Sequence, residues 1–216
     1  NGSATPFNDV TGTDISSNTN PTLAVALGDM DGDGDLDLIV GNASHTNLLY
    51  LNNGSTAPFN GVTGTDISAD IDFTAALALG DVDHDGDLDL IAGNADNTNR
   101  LYLNNGSAAP FDGVTGSDIS SDEGITFALA LGDVDNDGDL DLIAGNYIGT
   151  NRLYLNNGST APFSGVTGVD ISTDTDFTYA LTLGDVNADG NLDLIAGNYS
   201  GTNRLYGSTA SAVRVN

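Results

Sequence analysis

The chain of 216 residues is long enough for one or two domains, and its 39% hydrophobic content permits a packed core. Asp and Glu total 31 against four Arg and no Lys, a net charge of −27 that excludes nucleic acid, whose phosphates such a surface repels. No run of about twenty apolar residues occurs, so no membrane span is expected. The absence of Cys excludes disulfides and leaves bound metal as the expected staple.

Taken in chain order, the first element is residues 1–16, which read as the fourth strand of a repeating unit. Asn1 follows no basic-then-apolar leader, so the chain is read as a mature or excised segment. The unit itself has a period of 52 residues: Asn1, Asn53, Asn105 and Asn157 open the copies, and Phe7, Phe59, Phe111 and Phe163 share a column. One repeat domain, 1–216, then divides into units 1–52, 53–104, 105–156 and 157–216. In the second unit the period-2 apolar pattern predicts strands at 75–80 (AALALG), 88–93 (LDLIAG) and 100–103 (RLYL). The first of these puts Leu77 and Leu79 on one side and Ala76 and Ala78 on the other. The turn Asn104-Asn105-Gly106-Ser107 ends the third strand. A looser fourth strand is expected within 111–120. After Tyr206 the LNN of the other copies is missing and the chain closes on an altered tail, GSTASAVRVN. Four short strands per unit predict an all-β fold, a β-propeller of four 52-residue, four-stranded blades.

Between the first and second strands of each unit lies an acidic loop: DMDGDGDLD (29–37), DVDHDGDLD (81–89), DVDNDGDLD (133–141) and DVNADGNLD (185–193). The first three each hold five Asp on alternate positions, which as bare carboxylates repel one another at close range. A solvated acidic turn explains neither that crowding nor the Gly at position 6 of every loop, Gly34, Gly86, Gly138 and Gly190. A divalent cation explains both, because Ca²⁺ takes six to eight oxygen ligands and glycine permits the wrapping turn. The candidate metal residues are Asp29, Asp31, Asp33, Asp35 and Asp37; Asp81, Asp83, Asp85, Asp87 and Asp89; Asp133, Asp135, Asp137, Asp139 and Asp141; and Asp185, Asn187, Asp189, Asn191 and Asp193. Positions 1, 3, 5 and 9 are expected to give side-chain oxygens and position 7 its carbonyl. All-oxygen donors favour Ca²⁺ over zinc or copper, and Mg²⁺ is second choice. Up to four Ca²⁺ are expected, the fourth held most weakly because Asn187 and Asn191 remove two charges. His84, at position 4, is expected to point outward. These are not EF-hand loops: position 12 is Val40, Ala92, Ala144 or Ala196, where that motif has Glu.

The pattern D-x-D-x-D-G-D-L-D-L-I-x-G-N resembles the FG-GAP/VCBS repeat, found in the propellers of integrin α-subunits and in bacterial surface proteins. The resemblance implies a β-propeller with calcium in the hairpin loop between the inner two strands of each blade. It is expected to close by terminal strand exchange, within the chain as a four-bladed ring, between two chains as an eight-bladed one, or along a linear assembly.

Arg100, Arg152 and Arg204 recur where the first unit has Leu48 and are expected to pair with carboxylates between blades. Tyr50, Tyr102, Tyr154 and Tyr206 are expected to pack. Asn53, Asn105 and Asn157 begin N-G-S, and Asn1, Asn42 and Asn198 also fit the glycan acceptor pattern, although the turn alone explains the N-G-S set. The copies differ most in two sets of loops expected on one face: 43–46, 95–98, 147–150 and 199–202, and 17–22, 69–74, 121–126 and 173–178. That face is a candidate recognition surface, with Tyr147 and Tyr199 on it. His45 and His84 fall in non-equivalent positions, so no enzyme is expected. The expected role is structural or adhesive, extracellular or on a cell surface, with a self-association partner (dimer or filament) or a glycan or surface-protein ligand; a lectin-like, carbohydrate-binding propeller is the alternative.

Overall fold

A computed structural model of the chain describes residues 11–209. Asn1, Phe7, Arg214 and most of the expected N-terminal strand and altered tail lie outside them. The described residues form strands and turns without helix. Grouped by strand pairing, which carries the outer strand past the 52-residue frame, unit 1 contains β1 (Thr22–Gly28), β2 (Asp37–His45), β3 (Leu48–Tyr50) and β4 (Thr65–Asp66). Unit 2 contains β5 (Asp72–Gly80), β6 (Asp89–Asn94), β7 (Arg100–Tyr102) and β8 (Ser117–Asp118). Unit 3 contains β9 (Thr126–Gly132), β10 (Asp141–Asn146), β11 (Arg152–Tyr154) and β12 (Val169–Asp170). Unit 4 contains β13 (Thr178–Gly184), β14 (Asp193–Asn198) and β15 (Arg204–Tyr206). Within each unit the strands run antiparallel in chain order, and β2 also pairs with β5 through Ala43 and Phe73. The architecture is all-β, repeated and propeller-like.

Two expectations are corrected. The first strand of unit 2 begins at Asp72 rather than Ala75, because Phe73 finds a backbone partner in Ala43 of unit 1. The looser fourth strand shrinks to Ser117–Asp118. Ahead of it the chain is coiled into turns, since Asn105 donates its side-chain amide to the carbonyls of Ala109 and Asp112 and its backbone N–H to that of Pro110.

The core lies between units. β6 and β10 are buried along their whole length, with Leu90 and Ile91 at 0% exposure, so both faces of these strands are packed. One cluster joins Met30, Ile39, Leu49 and Ile67 of unit 1 to Leu90, Tyr102 and Phe111 of unit 2; its counterpart joins Val82, Ile91 and Leu101 to Leu142, Tyr154 and Phe163. Close approach depends on the glycine that ends each first strand. A Cβ at Gly28 would lie 2.9 Å from Leu79 Cδ1, and one at Gly80 2.9 Å from Leu140 Cδ1.

Candidate metal centre

Each acidic loop connects the first and second strands of its unit, so the antiparallel ladder holds its two ends side by side. Gly28 faces Asp37 across that ladder, and Gly80 faces Asp89. Within the loop the carboxylates cap backbone N–H groups turn by turn. Asp29 Oδ2 accepts from Gly34 at 3.0 Å, Asp31 Oδ1 from Asp33 at 3.2 Å, and Asp33 Oδ1 from Asp35 at 2.9 Å. The position-1 to position-6 bond recurs in Asp81–Gly86, Asp133–Gly138 and Asp185–Gly190 at 2.9–3.1 Å. Gly34, Gly86, Gly138 and Gly190 all have left-handed φ between 89° and 100°, and a Cβ there would meet nothing. Glycine is therefore used for its dihedral freedom and not for space.

This winding brings carboxylate oxygens together. Asp29, Asp31 and Asp33 each place an oxygen within 4.8 Å of the others, as do Asp81, Asp83 and Asp85, and Asp133, Asp135 and Asp141. Two oxygens inside these groups, Asp29 Oδ1 and Asp135 Oδ1, are enclosed yet accept no hydrogen bond. An enclosed carboxylate oxygen without a donor is costly unless a cation supplies the missing partner. The donor set is all oxygen and anionic, so the groups fit a hard divalent ion and could hold one.

Position 9 joins a triplet only in the third loop, through Asp141. Position 9 is deeply buried: Asp37 accepts from Met30 N–H and Asn52 N–H, both at 2.8 Å, and Asp89 accepts from Val82 at 3.0 Å and Asn104 at 2.9 Å. It thus ties the loop to the turn after the third strand as well as facing the cluster. Burial drives the Asp89 and Asp141 carboxyls up to about 6 in the metal-free state, against the partial relief of their backbone hydrogen bonds, and pushes Asp37 upward in the same way. Asp35, Asp87 and Asp139 at position 7 stand outside the triplets. Each lies over the glycine of the adjoining N-N-G turn, where a Cβ at Gly54, Gly106 or Gly158 would come within 3.1 Å or less of it. In the fourth loop Asp185, Asn187, Asp189, Asn191 and Asp193 repeat the capping pattern, with Asn187 Oδ1 accepting from Asp189 N–H at 2.8 Å.

His84 does point away from its own loop; its Nδ1 lies 3.3 Å from Asp139 Oδ1 of the next loop. Asn136 Nδ2 makes the equivalent link to Asn191 Oδ1 at 3.1 Å. Position 4 is itself left-handed, with φ of 61–63° at His84, Asn136 and Ala188. Only Gly32 in the first loop hints at this in sequence.

The arginines join units as expected. Arg100 pairs with Asp70 of the preceding linker at 3.1 Å and with Asp118 of its own outer strand at 2.6 Å, and Arg152 likewise with Asp122 and Asp170. The tyrosines pack and also hydrogen-bond: Tyr102 donates to Asp70 and Tyr154 to Asp122. Sequence reading missed the Asn42, Asn94 and Asn146 column, which is buried and bridges first strand to loop through Thr22, Thr74 and Thr126 hydroxyls. The N-G-S asparagines use their amide nitrogens inside the turn; Asn53 Nδ2 donates to Ala57 and Asn60 carbonyls, and Asn157 Nδ2 to Ala161 and Ser164. At the opposite strand ends, Phe127, Tyr147, Phe177, Tyr179 and Tyr199 form a run of rings with centroids 4.4–5.7 Å apart.

No curated protein matches the chain. Solved structures align with the chain at low identity. A BBS1N structure in complex with ARL6DN, soaked with lead, aligns at TM-score 0.49 and 8% identity over 84% of this chain and 51% of that one. The Vibrio cholerae biofilm matrix protein Bap1 aligns at TM-score 0.40 and 16% identity over 82% of this chain and 28% of that one. The chain thus spans about half or less of these proteins. The FG-GAP-like repeat matches three times, over residues 29–92, 81–144 and 133–196, each match running from one acidic loop to the middle strand of the next unit. The chain belongs to the FG-GAP-like repeat family.

Proposed function

We propose that the four loops bind Ca²⁺ and that the ions staple a non-catalytic, extracellular repeat protein with a structural or adhesive role. The observation that carries this is the convergence of three carboxylates in each of the first three loops, two of which leave an enclosed oxygen without a donor. Positions 1, 3, 5 and 9 would hold the ion through side-chain oxygens, position 7 would offer its carbonyl, and water would complete the shell. Calcium supplies the charge that lets these carboxylates approach. Its flexible coordination suits a loop of this size better than the strict octahedron of Mg²⁺. Loops of this kind suit the millimolar free calcium found outside the cell, which supports an extracellular setting. The units would act as propeller blades, each ion fixing the hairpin that builds the inner edge of a blade. Both histidines are engaged structurally, His45 Nδ1 with the Ala43 carbonyl at 2.9 Å and His84 with Asp139, which supports a non-catalytic role.

Calorimetric titration of the metal-free chain with Ca²⁺ tests this. Four sites are expected, three similar and the fourth weakest. Asn187→Asp should tighten the fourth by about tenfold, since ligand charge sets loop affinity. Absence of binding, or a fourth site tighter than the rest, would contradict the reading.

The aromatic run favours a second reading, carbohydrate binding. Tyr199 is 75% exposed and Tyr179 45%, and the corresponding positions in unit 2 are Ala95 and Ala75. Such rings offer apolar faces for sugar stacking. A neutral-glycan array, with Tyr199→Ala as control, would bind through this face or rule the reading out.

A further inference from the structure

Every unit has two unlike sides; the glycine-on-leucine contact recurs at all three junctions, and the asparagine bond at the first two, since unit 4 has Ser208 at that position. Toward the next unit it presents a glycine and a loop carbonyl; toward the preceding one, leucines and an asparagine. At the first junction Gly28 backs onto Leu79 and Leu88, and Asn104 Nδ2 donates to the Met30 carbonyl at 2.8 Å. At the second, Gly80 backs onto Leu131 and Leu140, and Asn156 Nδ2 donates to the Val82 carbonyl at 2.8 Å. At the third, Gly132 backs onto Leu183 and Leu192.

Among the described residues, one half of this junction is left uncovered on each of the two outer units. On unit 1, Val25, Leu27 and Leu36 are 65%, 59% and 55% exposed, and Asn52 Nδ2 reaches only its own loop. On unit 4, a Cβ at Gly184 would meet nothing, and Leu205 is 60% exposed where its counterparts Leu49 and Leu101 are 3%. The outer strands match in the same sense. In units 1 to 3, Asp66, Asp118 and Asp170 accept the hydroxyls of Thr46, Thr98 and Thr150, and the last two also accept Arg100 and Arg152. β15 has no outer strand among the described residues, and its Arg204 turns Nε to Asp176 instead. Meanwhile TGTDIS at 11–16 repeats TGTDIS at 63–68, yet lies on unit 1 outside any strand, held by Ser16 Oγ to Tyr50 OH at 3.1 Å.

We propose that a second copy of this chain docks head to tail, its unit 1 side on the unit 4 side of the first, rebuilding the internal junction between molecules. Residues 13–15 of the incoming copy add to β15 as the missing outer strand. Asp14 takes the Thr202 hydroxyl and the Arg204 guanidinium, and Asn52 donates to the Val186 carbonyl. The contact is heterologous, so it propagates until it closes a ring or extends as a filament. It rests on apolar, amide and ion-pair contacts and not on the identity of the ion.

Light scattering on the full chain with Ca²⁺ present, over a hundredfold range of concentration, reads it directly. The mass should rise to twice the monomer or beyond, and Leu27→Asp should abolish the rise. Asp14→Arg and Arg204→Asp should each weaken association by about tenfold. An equimolar mixture of those two variants should restore it, because opposite charges then meet at every junction; misfolded chains would not recover on mixing. A monomer at every concentration, or association indifferent to all three substitutions, overturns the proposal and leaves these faces to other occupants.

Discussion

The glycine at loop position 6 carries a cost that can be isolated. Gly138 has φ of 100° and open space around its Cα, so Gly138→Ala adds backbone strain and no clash. That strain should cost about 1–3 kcal/mol and weaken the third site, as melting and titration of the variant would report. Acid sensitivity is set nearby. A carboxyl whose pKa is higher folded than unfolded stabilises the fold while protonated and loses that contribution as pH rises through its folded value. Asp89 and Asp141, raised from 3.8 to about 6 by burial, therefore make the metal-free fold less stable at about pH 7.5 than at about pH 5. Asp118 and Asp170, held low by threonine and arginine hydrogen bonds, stay ionised across that window and do not offset it. Calcium needs the ionised form, so saturation should reverse the order. Melting in EDTA at the two pH values checks the sign, and a midpoint that rises with pH would contradict it. The alternating Asp and the position-6 glycine made the loop legible in sequence. The double duty of position 9 was not, because one of its two backbone partners, Asn52, comes from the turn after the third strand, 15 residues on.

At the scale of strands, the arginine column decides how firmly neighbouring units lock. Arg152 bridges Asp122 and Asp170 and also donates to the Gly168 carbonyl, with its side chain 22% exposed. Arg152→Ala should lower stability by about 1–2 kcal/mol, a solvent-reduced share of its charged hydrogen bonds, while calcium affinity stays nearly unchanged. Chemical denaturation and titration of the same variant would separate the two; a loss confined to affinity would contradict the structural role. The inner strands were readable because their apolar runs are short and closed by Asn and Gly. The outer strand was misjudged because Phe111 and Val114 are apolar yet belong to a turn. They plug the junction between units 1 and 2 and do not pair in a ladder.

At the scale of the molecule, the 52-residue period dictated the architecture, since a unit whose core lies on its flanks is complete only beside another. The pairing of unlike sides across junctions was invisible in sequence. It depends on which glycine meets which leucine, and those residues are about 50 positions apart. Charge is the larger question. A net of −27 destabilises any compact form by self-repulsion, and half of the loop carboxylates share three small volumes. The account therefore stands on cations joining the fold, and thermal melting of the chain in excess Ca²⁺ against the same chain in EDTA tests it most directly. Ions at about a hundredfold over their dissociation constants contribute about 2.7 kcal/mol per site, so the midpoint should rise by more than about 10 °C with calcium. A midpoint that is the same in both buffers would contradict the claim that metal holds these units together.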